Sequence, residues 1–193
     1  MSAANPPTPN APYELTVQQI VQGLGTHVAR AGANLGWNKW EGSFGFVSRQ
    51  AVSLTNRRSD PSVTYPVVEY GQLDPLLQTQ SAVTGVHVYR NNAISQLANL
   101  VLFGDFPSGE ILYIPADKLP SGGQDAIRRV LLSDGGEPKT FLQVIREKNG
   151  RQGKTQTSRA DLRFGAGPDG QVFLLNKHDG TIRLLIPDSN ATR

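Results

Sequence analysis

The stretch Arg159–Ile186 (RADLRFGAGPDGQVFLLNKHDGTIRLLI) constrains the fold more than any other part of the chain. It carries two Asp-Gly pairs, Asp169-Gly170 and Asp179-Gly180, ten positions apart. Each is followed by a short apolar run, Val172–Leu175 and then Ile182–Ile186. Both residues of such a pair tolerate positive φ, which the tight hairpin turns that match strand twist require. Strand, turn, strand, turn, strand is an antiparallel meander. Its apolar runs are nearly continuous, which predicts strands covered on both faces. Sheets stacked face to face around an axis meet that requirement.

The rest of the chain reads the same way. Its 193 residues include 20 Gly and 13 Pro, favouring many turns and short strands over long helices. Tyr13–Ile20 reads as a strand edge or an irregular helix turn, Leu24-Gly25 and Ala31–Gly36 as loop, and Trp37 and Trp40 as a packed loop with indoles over backbone. Residues 43–62 form a surface excursion anchored by Phe44 and Phe46, with a turn at Arg57–Ser62. Thr64–Tyr70 is a strand interrupted at Pro66, hence at a sheet edge. Gly71–Gln80 is a long loop. Ala82–Arg90 is a strand, with Val83, Gly85, His87 and Tyr89 on one face and Thr84, Val86 and Val88 on the other. Asn91–Ala98 crosses over as a turn or short helix. Leu100–Phe103 and Glu110–Ile114 pair across the Gly104–Gly109 loop. Asp117–Gly123 is loop. Ile127–Leu132 and Phe141–Arg146 are expected as strands, the second for its β-branched residues and Gly/Pro flanks. Lys148–Ser158 reads as polar and mobile.

Several function classes recede. The net charge is +3, but the basic residues are scattered without interleaved aromatics, so no nucleic-acid interface is expected. There is no cysteine, which removes disulfides and thiolate metal sites. No apolar run approaches the ~20 residues of a membrane span. Residues 1–12 (MSAANPPTPNAP) lack the apolar core of a signal peptide and read as a disordered Pro-rich lead. Residues 13–187 are then the folded unit and 188–193 a tail. No phosphate-binding glycine loop, dinucleotide fingerprint, zinc-binding helix or nucleophile elbow is present.

Five phrases in order resemble the glucose/sorbosone dehydrogenase family, the soluble sugar dehydrogenases that use pyrroloquinoline quinone (PQQ). They are Ala31–Gly42, Thr64–Gly71, Ser81–Arg90, Leu100–Ile114 and Arg159–Leu185. The resemblance implies an all-β fold. At roughly 40 residues for a four-stranded blade, the chain forms a partial β-propeller of about two and a half to three four-stranded antiparallel blades. The phrases look like the C-terminal half of that family, without the blades that carry the catalytic histidine. None of His27, His87 and His178 sits in a matching motif.

The resemblance also implies site residues. Arg159, Asp161 and Arg163 stand where the family turns basic side chains towards a central channel to bind the quinone's carboxylates. Planar guanidinium groups bind carboxylates bidentately. The alternative is an Arg–Asp pair that holds a strand end. Thr84 offers a hydroxyl to a ligand, or satisfies a backbone group. The loop Phe106-Pro107-Ser108 lacks the lysine that some members place there, and Asp105 caps its turn. His87 reads as a hydrogen-bonded strand residue and His178 as solvated. Glu41, Glu69 and Asp74 form no pair suited to acid–base work.

The implied function is the C-terminal portion of a PQQ-dependent aldose oxidoreductase that contributes cofactor contacts. PQQ and Ca²⁺ are the implied cofactors, a small sugar the substrate, and an extracytoplasmic compartment the location. The competing expectation is a non-catalytic propeller module for binding or scaffolding. A partial propeller also exposes its terminal sheets, which a homo-oligomer or the missing N-terminal half would cover.

Overall fold

The computed structural model describes residues 15–19, 24–28, 30–48, 51–71, 74, 76–77 and 81–188. The lead at 1–12, residues 189–193 of the tail and most of the loop 71–80 lie outside the described residues. In chain order the first strands are β1 (Leu15–Gln19), β2 (Leu24–Val28), β3 (Trp40–Glu41), β4 (Phe44–Ser48), β5 (Ala51–Ser53) and β6 (Val68–Tyr70). The middle of the chain supplies β7 (Val83–Val88), β8 (Leu100–Asp105), β9 (Ile111–Pro115) and β10 (Arg128–Val130). There follow β11 (Leu132–Asp134), β12 (Glu137–Lys139), helix α1 (Phe141–Arg151), β13 (Arg163–Ala166), β14 (Val172–Leu175) and β15 (Ile182–Leu184).

All strand pairings are antiparallel. The principal sheets have the orders β1-β2-β6, β10-β9-β8-β7 and β13-β14-β15, and β3-β4-β5 and β11-β12 are smaller satellites. The four-stranded sheet lies in the middle and is buried on both faces. Val101, Phe103, Leu112 and Ile114 point one way, into a core with Val68 and Tyr70 of β6. Leu102 and Ile111 point the other way, into a core with Phe141 and Ile145 of α1, Leu162, Val172 and Leu174. Double-sided burial is why Leu100–Phe103 and Glu110–Ile114 read as continuous apolar runs.

Other sequence expectations hold as well. β6 begins after Pro66 and is an edge strand, and a short 3₁₀ turn, Ser95–Leu97, lies in the predicted crossover. Both Asp-Gly turns form, with Gly170 at φ 76° and Gly180 at φ 62°. Asp179 organises the second one: its Oδ1 accepts from Thr181 N and Asn176 Nδ2, and its Oδ2 pairs with Arg183. Lys148 of α1 reaches Asp179 O at 3.3 Å, tying the helix to this hairpin.

Six expectations are corrected. Phe141–Arg146 is helical, not extended. Thr140 Oγ1 accepts from Gln143 N while Gln143 Oε1 accepts from Thr140 N, a reciprocal capping box that starts α1. Phe141, Val144 and Ile145 then bury one face, and Lys148–Arg151, expected to be mobile, completes the last turn. Leu24-Gly25 opens β2 instead of a loop. Ile127–Leu132 is split at Leu131, with β10 joining the central sheet and β11 a separate hairpin. The alternation in β7 breaks at Gly85 (φ 53°), where a bulge shifts register between Thr84 and Val86. Val83, Val86 and Val88 therefore share one core, while Tyr89 joins the other. Finally, β15 is not covered on both faces: Ile182 and Leu184 are 67% and 44% exposed.

The excursion at 43–62 contributes β4 and β5. Phe46 packs against Trp37, ring centroids 5.1 Å apart, but Trp37 stays about half exposed. Trp40 instead meets Tyr65 edge-on.

Candidate functional site

The segment Ala160–Leu162 is laid against the loop Phe106–Pro107 by main-chain bonds. Ala160 N donates to Pro107 O at 2.8 Å and Leu162 N to Phe106 O at 3.0 Å. Between them Asp161 takes a left-handed conformation, φ 48°, uncommon for a residue with a side chain. Glycines on the central sheet allow the close approach. A Cβ on Gly104 would sit 2.5 Å from Leu162 Cδ2 and 2.8 Å from Phe164 Cε2, and one on Gly109 would sit 2.5 Å from Ala160 Cβ. Gly104→Ala is therefore expected to overpack this seam and cost about 1–3 kcal/mol, read as a lowered urea midpoint.

This conformation places the Asp161 carboxylate, 6% exposed, at the centre of a basic cluster. Arg159 Nε donates to its Oδ1 at 3.1 Å. Its Oδ2 lies 2.9 Å from Lys177 Nζ and 3.0 Å from His178 Nε2. Burial pushes the carboxyl's pKa up, but hydrogen bonds from Lys177 and Arg159 outweigh it and hold the group below the usual carboxylate range. His178, expected to be solvated, is thus a partner of the acid.

Arg163 is placed differently. Its guanidinium carbon lies 3.9 Å from the centroid of the Phe106 ring, with the Arg159 guanidinium at 5.3 Å from the same ring. Arg163 Nη1 donates to Leu162 O at 3.0 Å and to Thr84 Oγ1 at 3.4 Å. Both acceptors are neutral. Among the described residues no carboxylate pairs with Arg163, which is exposed at the start of β13. Thr84 is itself buried beside the Gly85 bulge.

The structure therefore brings Arg159, Asp161, Arg163 and Thr84 together around Phe106. The sequence reading missed Lys177, His178 and the role of the Phe106 ring. Lys177 and His178 precede the Asp179-Gly180 turn, and that turn is the signal that would have returned them to the sheet's end. Asp105 does cap the loop: Oδ2 accepts from Ser108 N at 3.0 Å and Ser108 Oγ at 2.6 Å, and Oδ1 accepts from Ala82 N at 2.8 Å.

Two other carboxylates stand apart from the cluster. Glu69 Oε2 accepts from Ser43 N at 2.7 Å. Glu41, in β3, is fully buried, and among the described residues neither carboxyl oxygen has a hydrogen-bond partner. Burial pushes its pKa up from 4.5 to about 7. Among the described residues, no group of three His, Asp or Glu side chains is close enough to hold a metal ion, and no helix is long and apolar enough to cross a membrane.

No family model and no curated relative matches the chain. Solved structures do. The soluble aldose sugar dehydrogenase of Escherichia coli in its apo form superposes with a TM-score of 0.51 at 13% identity, over 88% of this chain. A glucose dehydrogenase superposes with a TM-score of 0.51 at 16% identity, over 89%. In each case the match spans 39% of the other chain's length. At such identities the likeness establishes the fold: a partial β-propeller, nearly all-β with one helix, of the kind seen in those sugar dehydrogenases.

Proposed function

We propose that this chain is the cofactor-contacting portion of a PQQ-dependent aldose oxidoreductase, corresponding to that family's C-terminal half. The observation that carries the reading is Arg163: a guanidinium stacked on Phe106 and, among the described residues, hydrogen-bonded only to neutral acceptors. The ring and the two bonds fix its plane, and its other N–H groups remain for an anion. Such a cation suits bidentate pairing with a planar carboxylate, of which the quinone has several. Arg159 is committed to Asp161, and its guanidinium lies farther from the same ring, 5.3 Å from the centroid. Asp161 acts as the organiser that gathers Arg159, Lys177 and His178. Thr84 positions Arg163.

When bound, the quinone supplies the two-electron acceptor for a hydride from the sugar's C1. The residues here bind and orient; the base for that transfer comes from blades outside these 193 residues. A calcium ion does not fit the cluster, because both oxygens of Asp161 face cationic partners. A small sugar substrate and an extracytoplasmic location belong to the same proposal.

Titration with PQQ, followed by fluorescence, tests it. Arg163→Ala should weaken binding by about 10- to 100-fold, the loss of a charge-assisted hydrogen-bonding group. Arg163→Lys should recover only part, because an ammonium cannot reproduce the planar fork. Wild-type protein that does not bind the quinone, or Arg163→Ala that binds it equally well, would leave the second reading: a non-catalytic propeller module for binding or scaffolding. That reading is favoured by the loop Phe106-Pro107-Ser108, which offers a ring to Arg163 instead of a further cation to a ligand.

A further inference from the structure

β15 ends its sheet, and no strand lies on its outer side among the described residues. Leu185 N donates to Val172 O at 2.9 Å, and Arg183 stands opposite Leu174 in the same register. In an antiparallel ladder, alternate residues turn their main-chain groups to opposite sides. Arg183 and Leu185 therefore bond inward to β14, and the N–H and C=O groups of Ile182, Leu184 and Ile186 point outward. These three residues are exposed by 67%, 44% and 69%.

Natural sheet edges are usually blunted by charge, proline or a bulge. The β10 edge of the central sheet follows that rule with Arg128 and Arg129. The β15 edge does not. Its charged residue, Arg183, is paired with Asp179. On the exposed face, Phe173 and Leu175 of β14 stand beside Leu184 and Ile182, so the apolar band runs unbroken to the edge.

We propose that β15 pairs antiparallel with the same strand of a second copy of this chain, about a twofold axis at Leu184. Each copy's three-stranded sheet then continues into the other's. The occupant follows from the sequence of the edge. Ile182-x-Leu184-x-Ile186 is palindromic, and an isologous contact needs a surface complementary to itself. In this register Ile182 faces the partner's Ile186 and Leu184 faces the partner's Leu184. On the other face Arg183 meets the partner's Leu185, so no like charges oppose each other. This inference does not depend on the oxidoreductase reading.

The chain has no cysteine, so an introduced thiol reports alone. Light scattering of the native chain should give twice the 20.9 kDa chain mass. Leu184→Cys should form a disulfide-linked dimer on mild oxidation, because residues facing each other in a hydrogen-bonded antiparallel pair have Cα atoms about 5.5 Å apart, within disulfide reach. Ile182→Cys should not link to itself but should link to Ile186→Cys when the two proteins are mixed. Leu184→Asp should return the monomer mass with an unchanged circular dichroism spectrum, and Ile182→Lys, at a more exposed position, should do the same. A monomeric native chain overturns the proposal. So does a dimer that survives both edge substitutions, or one in which Ile182→Cys links to itself and Leu184→Cys does not.

Discussion

Glutamine in place of Glu41 should make the protein more stable at pH 8 by about 2–3 kcal/mol and leave it nearly unchanged below pH 4. The reason is a carboxyl that folding buries without giving either oxygen a partner. Its pKa rises from 4.5 in the unfolded chain to about 7 in the folded one. Between those values the folded protein holds a proton that the unfolded chain has released, so stability falls as pH rises through that window and levels off above it. Glutamine removes the ionisation and with it the slope. Urea midpoints of both proteins across the pH range decide the matter: parallel curves would mean that Glu41 is compensated in the folded state.

Phe141→Ala should cost about 3–5 kcal/mol, the usual range for truncating a fully buried aromatic. Phe141 is 1% exposed at the first turn of α1, within the core that contains Leu102, Ile111, Ile145, Leu162 and Leu174. Nothing beside it can relax without disturbing the face that the central sheet presents to the last sheet. Thr140→Ala, which removes only the capping hydroxyl, should cost about 1 kcal/mol. The two substitutions separate packing from capping. A lower urea midpoint with an unchanged slope is the expected form of both losses. A Phe141→Ala protein as stable as Thr140→Ala would mean that the helix is held by its ends and not by its face.

These residues also show which parts of the structure could be read in advance. The last meander was legible because Asp169-Gly170 and Asp179-Gly180 dictate local backbone shape, which needs no knowledge of neighbours. The runs at Leu100–Phe103 and Glu110–Ile114 were legible because burial on both faces leaves a continuous apolar signal. Helix α1 has a signal in the sequence, since Thr140 and Gln143 have the capping-box spacing, but the β-branched Val144 and Ile145 point to a strand. The register of β7 was not readable, because a bulge at Gly85 belongs to a pair of strands and not to one. At the candidate site, Arg159, Asp161 and Arg163 lie close in sequence and could be grouped by eye. Lys177 and His178 reach Asp161 only because the meander folds back, so sequence distance concealed them. In the sequence the loop Phe106-Pro107-Ser108 stands out for lacking a lysine, whereas in the fold Phe106 is the ring beside Arg163.

The bonds from Ala160 N to Pro107 O and from Leu162 N to Phe106 O run between main chains. What they hold is therefore indifferent to most side chains along the loop. Substitutions that keep the loop's backbone path leave Asp161 at its unusual backbone angle, while proline at 160 or 162 would delete a donor outright. Such an arrangement preserves geometry while releasing identity. It suits a chain that keeps a fold in common with the aldose sugar dehydrogenase at only 13% identity.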